Sequence, residues 1–378
     1  MLYRTVGPSV FLCGLLQFQH MEAQGWISFR HMSIVHVQKD DLIWAEIVVF
    51  VRGDGALDEW MAKKCKKNGK RILYILDDDL LHVPLGLGSG AYYAQKSVKR
   101  HIRRLIEYSD YFASPSQKLI QMYGKRKASF LLIEPSVHKV TQKKQHSDGK
   151  VHIGFAGSPD RGSDIDLLLA DALEQLVQKY GDRICLEFYG CETAIAKKLH
   201  CVTYSYTESY EAYQKQMAEL NWDIGLAPMP DTHFHSCKHY NKLVEYCGFG
   251  IVGVYSRVSP YTEGVVDQVT GLLCGNTAQE WVDAISLLIE DSALRQRISE
   301  NCINYAQEFL SVERAAYHFF QDICEIRLSK WKDDSIRFLT LMKALGVLSW
   351  YFEKYKKYGW QTPVIACKKA IKLLHKTV

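Results

Sequence analysis

The sequence predicts an α/β protein of two doubly wound domains, one after the other with a cleft between them, followed by a helical C-terminal extension. Short apolar runs alternate with amphipathic segments from residue 45 to about residue 310, which is the pattern of βαβ units in a parallel sheet. One polar stretch, at 140–150, interrupts this series. With 378 residues, the chain is long enough to form two hydrophobic cores.

The composition excludes several classes of protein. Hydrophobic residues make up 47% of the chain, charged residues 24%, and the formal net charge is only +5, so we expect a globular protein that binds no nucleic acid. Eleven cysteines include no CxxC pair, which predicts neither a disulfide framework nor a zinc module and favours a reducing compartment. No uncharged apolar run reaches the roughly 18 residues of a spanning helix, so we predict no membrane span. Together with the reducing compartment, this leads us to expect a cytoplasmic protein.

The first domain is predicted to span residues 1–139. Only residues 1–5 can supply a strand before its first helix, so that strand is very short or absent. Pro8 in the first turn predicts a helix through about Glu22, and 25–37 is expected to be irregular or weakly β. The later elements are predicted strands at 45–51, 71–76, 111–116 and 130–136, with helices at 57–69, 91–108 and up to Tyr123.

Residues 140–150 are predicted to form the linker, because they are polar and charged and contain few apolar side chains. The second domain, 151–331, opens with a strand at 151–157 and a helix in which Ser163 is the predicted N-cap and Asp166 the N3 residue. The remaining predicted elements are strands at 184–190, 201–205, 224–227, 251–255 and 271–274, and helices at 193–199, 210–220, 238–250, 277–290, 291–309 and 311–331.

The tail, 332–378, has a different composition. Residues 335–352 are apolar and aromatic but are interrupted by Arg337 and Lys343, and beyond Glu353 there are seven lysines and no acid. Helices of this kind either pack against both domains or lie on an anionic membrane surface. Both alternatives stay open from the sequence, and the second would make the protein peripheral on the inner face of a membrane.

Two stretches of the second domain together predict a nucleotide-diphosphate pocket. In the first, FAGSPDRGSD at 155–164, a strand ends at Gly157 and a helix follows, so backbone N–H groups and the helix dipole favour phosphate there. Arg161 adds a charge-assisted hydrogen bond. An ordinary βα loop is the alternative, since the stretch is neither a GxGxxG nor a Walker A motif.

The second stretch, 222–261, contains two lysines and a carboxylate at helical spacing. Lys238, Lys242 and Glu245 lie at i, i+4 and i+7, on one face of a predicted helix that follows a short strand. Two cations can neutralise a diphosphate, and a carboxylate can accept hydrogen bonds from the two hydroxyls of a ribose. The alternative is a solvated Lys/Glu face, and the loop at 155–164 in the same domain favours the pocket.

A run of histidines and a cysteine precedes this helix: His233, His235, Cys237 and His239. Its HxHxCxH spacing fits no established zinc pattern, and alternate residues on a loop do not point to one centre. We therefore expect no metal, and no cofactor besides the substrate itself. One histidine, His233 or His235, is instead expected to form a hydrogen bond with substrate.

Carboxylates and arginines of the first domain are candidates for the other side of the cleft. Asp78 and Asp79 belong to DDDLLHVP at the carboxyl end of a strand, where acidic residues serve as a base or bind a metal. Capping of the next turn is the alternative role. Arg4 and Arg52 fall near loop positions and are acceptor-side candidates, although exposed arginines are commonly only surface groups.

The chain resembles the nucleotide-sugar-dependent glycosyltransferases of group 1, family 4, which have two facing Rossmann-like domains (the GT-B fold). The resemblance covers roughly residues 1–330 and follows one bacterial branch of that family in the order and spacing of its motifs. The matching segments are AEIVVFVRGD, ILYILDDDLLHVP, GFAGSPDRGSD, APMPDTHFHSCKHYNKLVEYCGFGIVGVYSRVSPYTEGVVDQVTGLLC and QEWVDAISLLIEDSALRQRI.

By this resemblance, the donor-binding residues would be Gly157, Ser158, Arg161, Lys238, Lys242, Glu245 and Tyr261. The first three would lie by the diphosphate, the lysines would match two lysines of the branch, and the glutamate would bind the ribose. The tyrosine would lie over the next helix N-terminus. The implied reaction transfers a sugar to an acceptor hydroxyl, with a surface polysaccharide or lipid-linked glycan precursor as acceptor and Asp78 or Asp79 as base.

One position departs from the family. Many members carry two glutamates eight positions apart, the first of them at the sugar, and here Cys237 stands eight residues before Glu245. The resemblance therefore leaves open whether the anomeric configuration is retained. It also leaves a non-catalytic alternative, a glycosyltransferase-like module that binds a partner transferase or a glycan.

Overall fold

The computed structural model describes residues 1–124, 129–137, 139–141, 143, 146–207, 209–324, 339–355, 363–364, 367–368 and 370–371. The chain divides into two compact units, one formed by Met1–Glu134 with Ala316–Val378 and the other by Pro135–Ala315. The boundary after the second unit falls inside a helix, Val312–Cys324. The end of the chain therefore belongs to the first unit.

The first unit contains a parallel sheet of six described strands: β1 Leu2–Tyr3, β2 Met32–Ser33, β3 Ile47–Val51, β4 Arg71–Ile75, β5 Tyr111–Ser114 and β6 Ser129–Leu132. Their order across the sheet is β2-β1-β3-β4-β5-β6. A π-helical turn, Phe11–Leu15, joins the first two helices. The helices before the second unit are α1 Pro8–Val10, α2 Leu16–Ala23, α3 Lys39–Trp44, α4 Ala56–Lys67, α5 Gly90–Tyr93, α6 Lys96–Tyr108 and α7 Gln117–Tyr123.

The first strand is present and is only two residues long. Leu2 pairs with Met32 on one side and with Phe50 on the other, so β1 lies inside the sheet between β2 and β3. Both residues of β1 are buried, as expected for an inner strand of a parallel sheet. The strand places Arg4 directly after its carboxyl end.

The second unit contains another parallel sheet, of six described strands: β7 Val151–Ala156, β8 Ile184–Tyr189, β9 Val202–Tyr204, β10 Ile224–Ala227, β11 Val252–Ser256 and β12 Leu272–Cys274. The order is β12-β11-β10-β7-β8-β9, so it reverses between β7 and β10. In open parallel sheets, ligands bind outside the carboxyl ends of the strands at such a switch point.

The remaining described helices are α8 Gly162–Tyr180, α9 Ala194–Lys198, α10 Tyr210–Leu220, α11 His233–Ser236, α12 Asn241–Phe249, α13 Tyr261–Gly264, α14 Ala278–Glu290, α15 Ser292–Phe309, α16 Val312–Cys324 and α17 Leu339–Tyr355.

A tryptophan and a glycine fix the packing of β7 at this switch point. Trp222, two residues before β10, is fully buried. Its ring lies so close to Gly154 of β7 that a Cβ at position 154 would come within 2.0 Å of the ring. Only glycine therefore leaves room for the indole next to the strand that leads into the loop at 157–161.

The start of α8 differs from the sequence prediction. The helix begins at Gly162 after a 3-10 turn at Pro159–Arg161, and Ser163 lies inside it rather than at its N-cap. Asp166 does not cap its own helix: its carboxylate accepts hydrogen bonds of 2.9 Å from the backbone N–H groups of Ala194 and Ile195. The predicted capping box was wrong because a partner distant in sequence, the start of α9, binds this carboxylate instead.

The helix predicted at 238–250 is also shorter in the structure. It begins at Asn241, because Tyr240 has a non-helical conformation with φ −78° and ψ 48°. His239 is buried, with its ring centroid 4.1 Å from that of Tyr240. Lys238 therefore precedes α12, and the prediction that it shares a helix face with the later lysine and glutamate was wrong.

The described part of the tail packs on the first unit. In α17, Gly346 approaches α4 so closely that a Cβ would lie 2.5 Å from Leu57 Cβ. Lys343, one of the charges that interrupt the apolar run, is buried, and desolvation lowers its pKa. Packing is therefore observed for α17 on the first unit, whereas the prediction that the tail packs against both domains is not tested, and most of the basic stretch after α17 lies outside the described residues. Among the helices that are described, none combines the length and the apolar character that crossing a membrane requires.

Candidate active site

The loops that follow β7 and β10 meet at the switch point of the second sheet. Arg161, in the first loop, donates from Nη2 to the carbonyl oxygen of Pro228 in the second loop, at 3.1 Å. The N–H group of Met229 donates to Ser256 Oγ at 2.8 Å, and its carbonyl oxygen accepts from Asn276 Nδ2 at 3.0 Å. The second loop is thus tied to the ends of the neighbouring strands β11 and β12, which fixes its position.

Close contacts require glycine both directly after β7 and directly after β8. A Cβ on Gly157 would lie 2.7 Å from the ring of Phe155. Gly190, which follows β8, has a φ of 82°, and its Cβ would lie 2.4 Å from the carbonyl oxygen of Gly157. After the glycine, Ser158 Oγ donates to Asp160 Oδ1 at 2.5 Å. Gly157 and Ser158 were predictable from the sequence, and Gly190 was not predicted, although a glycine directly after a strand was the available signal.

Arg161 is held beside Asp164 of α8, which was not among the residues predicted from the sequence. Its Nε lies 3.1 Å from Asp164 Oδ2, and His235 Nε2 lies 3.9 Å from the same oxygen. Burial raises the pKa of Asp164, and the charges of Arg161 and Lys238 oppose that shift. Arg161 and Lys238 therefore both favour the charged form of Asp164, which lies in the N-terminal turn of α8. The N-terminus of a helix itself favours anions.

Lys242, Glu245 and Tyr213 form one hydrogen-bonded group. Lys242 Nζ donates to the Glu245 carboxylate and, at 3.2 Å, to the hydroxyl of Tyr213, which in turn donates to Glu245 Oε2 at 3.2 Å. The Lys242 and Glu245 side chains are only 20% and 11% exposed, so the solvated-face alternative was wrong for this pair. Tyr213, on α10, was missed because nothing local in the sequence connects it with α12.

Lys238 lies apart from this pair along the chain but in the same region of the unit. Its Nζ lies 4.6 Å from the ring centroid of Phe234, a cation–π contact. Its charge also lowers the pKa of Asp164, as described above. Lys238 therefore lies close enough to the loop after β7 for its charge to act on Asp164.

Tyr261 links the two groups electrostatically. It is the first residue of α13, it is buried, and its ring centroid lies 5.0 Å from that of Tyr255. Burial raises the pKa of its hydroxyl, Arg161 lowers it and Glu245 raises it, so both charges act on this ring. The structure thus brings together residues that the sequence places a hundred positions apart.

The histidines of the loop after β10 differ in exposure, and one of them contacts the cysteine. His233 is exposed, and its Nε2 lies 3.8 Å from Cys237 Sγ. His235 is buried, and its Nδ1 lies 2.7 Å from Thr232 Oγ1. His239, the residue after Lys238, is also buried. The hydrogen bond between a loop histidine and substrate stays a prediction, and His233 is the more accessible candidate.

Elsewhere in the second unit, His152, Cys185 and Glu187 place three potential metal ligands within 4.8 Å of one another. Strand register explains the group, since His152 pairs with Cys185 across β7 and β8 and Glu187 is two residues further on. His152 Nδ1 lies 2.6 Å from Glu187 Oε1, and its Nε2 lies 3.1 Å from Asp148 Oδ2. Each ring nitrogen of His152 thus lies within hydrogen-bond distance of a carboxylate.

Acidification should destabilise the protein through His239. Desolvation lowers the pKa of this imidazole from 6.5 to about 3. The unfolded chain binds the proton near pH 6.5 and the folded chain does not, so stability is full above that pH and falls as the pH decreases towards 3. When the pH is lowered from about 7 to 5, the unfolding free energy of His239→Phe should decrease by about 2 kcal/mol less than that of wild type. Urea titrations followed by circular dichroism measure both decreases.

The control for this measurement is His36→Phe, which replaces an exposed histidine of the first unit. It should keep the wild-type pH dependence. An unchanged pH dependence in His239→Phe would show that the buried imidazole is not held neutral.

Asp78 and Asp79 follow β4 and differ in accessibility. Asp79 is fully buried: Tyr123 donates to its Oδ1 at 2.6 Å, and His82 Nδ1 lies 2.8 Å from its Oδ2. Asp78 is 20% exposed, and its Oδ2 lies 3.1 Å from Arg52 Nη1. A general base has to reach its substrate, so Asp78 satisfies that condition better than Asp79. Both assignments stay predictions.

The two arginines of the first unit are both paired with carboxylates. Arg4 Nε lies 2.8 Å from Asp54 Oδ1, and its Nη2 lies 2.9 Å from Asp58 Oδ2. Arg52 Nη1 lies 2.5 Å from Asp77 Oδ1. Their side chains are 19% and 23% exposed, so neither is a fully solvated surface arginine.

Comparison with solved structures confirms the GT-B fold. HepE of Anabaena, solved with UDP and glucose, is similar over 86% of this chain and 99% of its own, with a TM-score of 0.59 and 13% identity. WaaG, a glycosyltransferase involved in lipopolysaccharide biosynthesis, is similar over 83% and 96%, with a TM-score of 0.55 and 16% identity. TarM is similar over 73% of this chain, with a TM-score of 0.53 and 12% identity, and the chain spans about half, 54%, of TarM. No protein-family model matches the sequence, and no curated protein does.

Proposed function

We propose that this protein is a glycosyltransferase that moves a sugar from a nucleoside-diphosphate sugar to an acceptor hydroxyl. The observation that carries the proposal is the group of residues at the switch point of the second sheet. One region contains the N-terminus of α8, Arg161 and the hydrogen-bonded pair of Lys242 and Glu245. The charges of Arg161 and Glu245 both shift the pKa of Tyr261, which is consistent with their proximity. Such a region supplies both positive charge and a hydroxyl acceptor, which a nucleoside diphosphate needs.

The donor is bound through complementary groups. The diphosphate is neutralised by Arg161, Lys238 and Lys242 and by the backbone N–H groups that begin α8. The ribose hydroxyls donate to Glu245, whose Oε2 already accepts from Tyr213. HepE, which shares the fold, has been solved with UDP and with UDP-glucose. These complexes support a nucleotide-sugar donor for this chain.

The chemical step builds negative charge on the departing diphosphate. Fixed cations and helix N-terminal N–H groups stabilise that charge, so the proposed reaction uses no metal. On the acceptor side, Asp78 is proposed as the base and Arg4 and Arg52 as acceptor-binding groups. Cys237, buried beside His233, occupies the position at which many similar enzymes have a sugar-contacting glutamate, so the stereochemical outcome needs its own measurement.

The acceptor and the cellular location are the finer parts of the proposal. WaaG, which shares the fold, acts in lipopolysaccharide biosynthesis, and this supports a surface polysaccharide or lipid-linked glycan precursor as acceptor. The lysines after Glu353 suit attachment to an anionic membrane surface, so we place the protein in the cytoplasm and peripheral to a membrane.

The test is to incubate the full chain with UDP-, GDP- and dTDP-sugars and to measure saturable binding and nucleotide release. We expect one nucleotide to bind and to be released on turnover. Binding without any release, with and without glycan acceptors, would instead support the non-catalytic module, for which Cys237 is the motivating observation. If no nucleotide sugar binds, both the enzyme and its donor pocket are rejected.

A further inference from the structure

A cavity of about 490 Å³ lies beyond the carboxyl ends of β1 and β3 in the first unit. The residues that determine its chemistry are Arg4, Arg52, Asp54, Tyr92, Tyr93 and Trp350, the last from α17. We propose that this cavity binds an uncharged sugar ring stacked on Trp350. The inference rests on the proposed function in one respect, namely that the ring belongs to the acceptor.

The charges around the cavity disfavour an anionic ligand. Two guanidinium groups are paired with four carboxylates: Arg4 with Asp54 and Asp58, and Arg52 with Asp77 and Asp78. A phosphate or carboxylate would compete for these guanidinium groups and add to an excess of negative charge. A hydroxyl, in contrast, donates to a carboxylate and accepts from a guanidinium at the same time. The charged pairs therefore suit a neutral polyol.

Aromatic rings supply the apolar part of the wall. Trp350 lines the cavity while Arg4 Cζ lies over its ring, 5.5 Å from the centroid, so the guanidinium covers one face of the indole. The rings of Tyr92 and Tyr93 meet edge to face with centroids 5.0 Å apart. Trp350 is only partly buried. An indole gives a pyranose a large, rigid apolar surface for its C–H face, next to the groups that bind its hydroxyls. Apolar walls with a few placed polar groups are the usual composition of a small-molecule site.

Three features of the chain hold these groups in place. Gly346 lets α17 approach Leu57 closely, and Trp350 lies four residues later, on the same face of the helix. At Gly55, a Cβ would lie 1.8 Å from Arg4 Nη2, so glycine is required for Arg4 to reach its carboxylates. Arg52 has a φ of 51°, a strained value for a non-glycine residue, and such strain concentrates at binding sites.

The test measures binding of saccharides to the full chain by saturation-transfer NMR and calorimetry. The probes are the methyl glycosides of glucose, galactose, mannose and N-acetylglucosamine, with methyl glucuronoside and methyl galacturonoside as anionic counterparts. We expect at least one neutral glycoside to bind, and its uronate to bind about tenfold more weakly or not at all. Trp350→Leu, which keeps apolar volume but removes the ring, should weaken neutral binding about tenfold, and Trp350→Phe should weaken it less.

Trp44→Leu is the matched control, because Trp44 also stacks on an arginine, Arg30, at 4.3 Å but does not line this cavity. Uronates that bind as tightly as neutral glycosides, unchanged binding by both Trp350 variants, or no saccharide binding at all would overturn the proposal. If Trp350→Leu fails to fold, the Trp350→Phe variant and the uronate comparison still decide the question.

Nucleotide-sugar binding, measured on the same samples, separates this inference from the proposed function. A chain that binds a nucleotide sugar but no saccharide keeps the proposed donor site and rejects the cavity proposal. A chain that binds neutral glycosides through Trp350 but no nucleotide sugar keeps the saccharide site and rejects sugar transfer.

Discussion

Replacing Lys242 with alanine is expected to lower kcat/KM for nucleotide-sugar turnover by about 100-fold or more. The variant removes a cation proposed to neutralise the diphosphate, and loss of one group that stabilises transition-state charge costs about this much. It also leaves Glu245, only 11% exposed, without its charged partner, and Tyr213 becomes the remaining donor to that carboxylate. The measurement is initial-rate nucleotide release over a range of donor concentrations.

The matched control is Lys197→Ala. Lys197 is in the same unit and also pairs with a glutamate, Glu192, but the two side chains are 71% and 86% exposed. This exposed pair should contribute little to stability and nothing to turnover. Wild-type kinetics in Lys242→Ala, with the fold verified by circular dichroism, would remove this lysine from the donor site and leave Arg161 and Lys238 as its cations.

Replacing Trp222 with alanine should lower the free energy of unfolding by about 3–5 kcal/mol, the usual cost of emptying a fully buried aromatic site. The loss should be near the upper end, because the ring fills the space that Gly154 leaves beside β7. Urea denaturation followed by far-ultraviolet circular dichroism measures the effect. Trp222→Phe, which keeps a ring, should lose less.

Gly154→Ala tests the same contact from the other side. The added methyl would lie 2.0 Å from the indole, so we expect a loss of about 1–3 kcal/mol from overpacking. In a Trp222→Phe background, Gly154→Ala should lower the unfolding free energy by less than it does in wild type, because the smaller ring leaves room for the methyl group.

Trp44→Ala is the control for these variants, because the Trp44 side chain is 41% exposed, and it should change stability by less than about 1 kcal/mol. A Trp222→Ala variant as stable as this control would contradict the close packing of Trp222 on Gly154.

The order of strands and helices was predictable from the sequence because its signals are local. Apolar runs such as Val48–Val51 and Ile72–Ile75, separated by amphipathic segments, require strands buried in a parallel sheet. For the first strand the sequence left two possibilities, a very short strand or none, and the structure shows a two-residue strand between β2 and β3. The comparison with solved structures then confirmed the GT-B fold.

Local spacing also identified part of the candidate site. Lys242 and Glu245 are three residues apart on one helix, so their contact follows from helix geometry alone. Gly157 and Arg161 follow a strand and precede a helix, which is enough to place them at the carboxyl edge of a sheet. Helix boundaries were less predictable, because burial of His239 and the non-helical Tyr240 separate Lys238 from α12.

The sequence by itself determined the fold class, the edge of each sheet at which chemistry is expected, and the residues whose neighbours are close in the chain. The tertiary structure alone decided which distant groups join them: Tyr213 with Glu245, Asp166 with the start of α9, Arg161 with Pro228, and Trp350 with Arg4. The physical reason is that periodicity and capping depend on residues within one or two turns. A hydrogen bond or ring contact between separate elements depends on how the sheets and helices pack, and no local pattern encodes that packing.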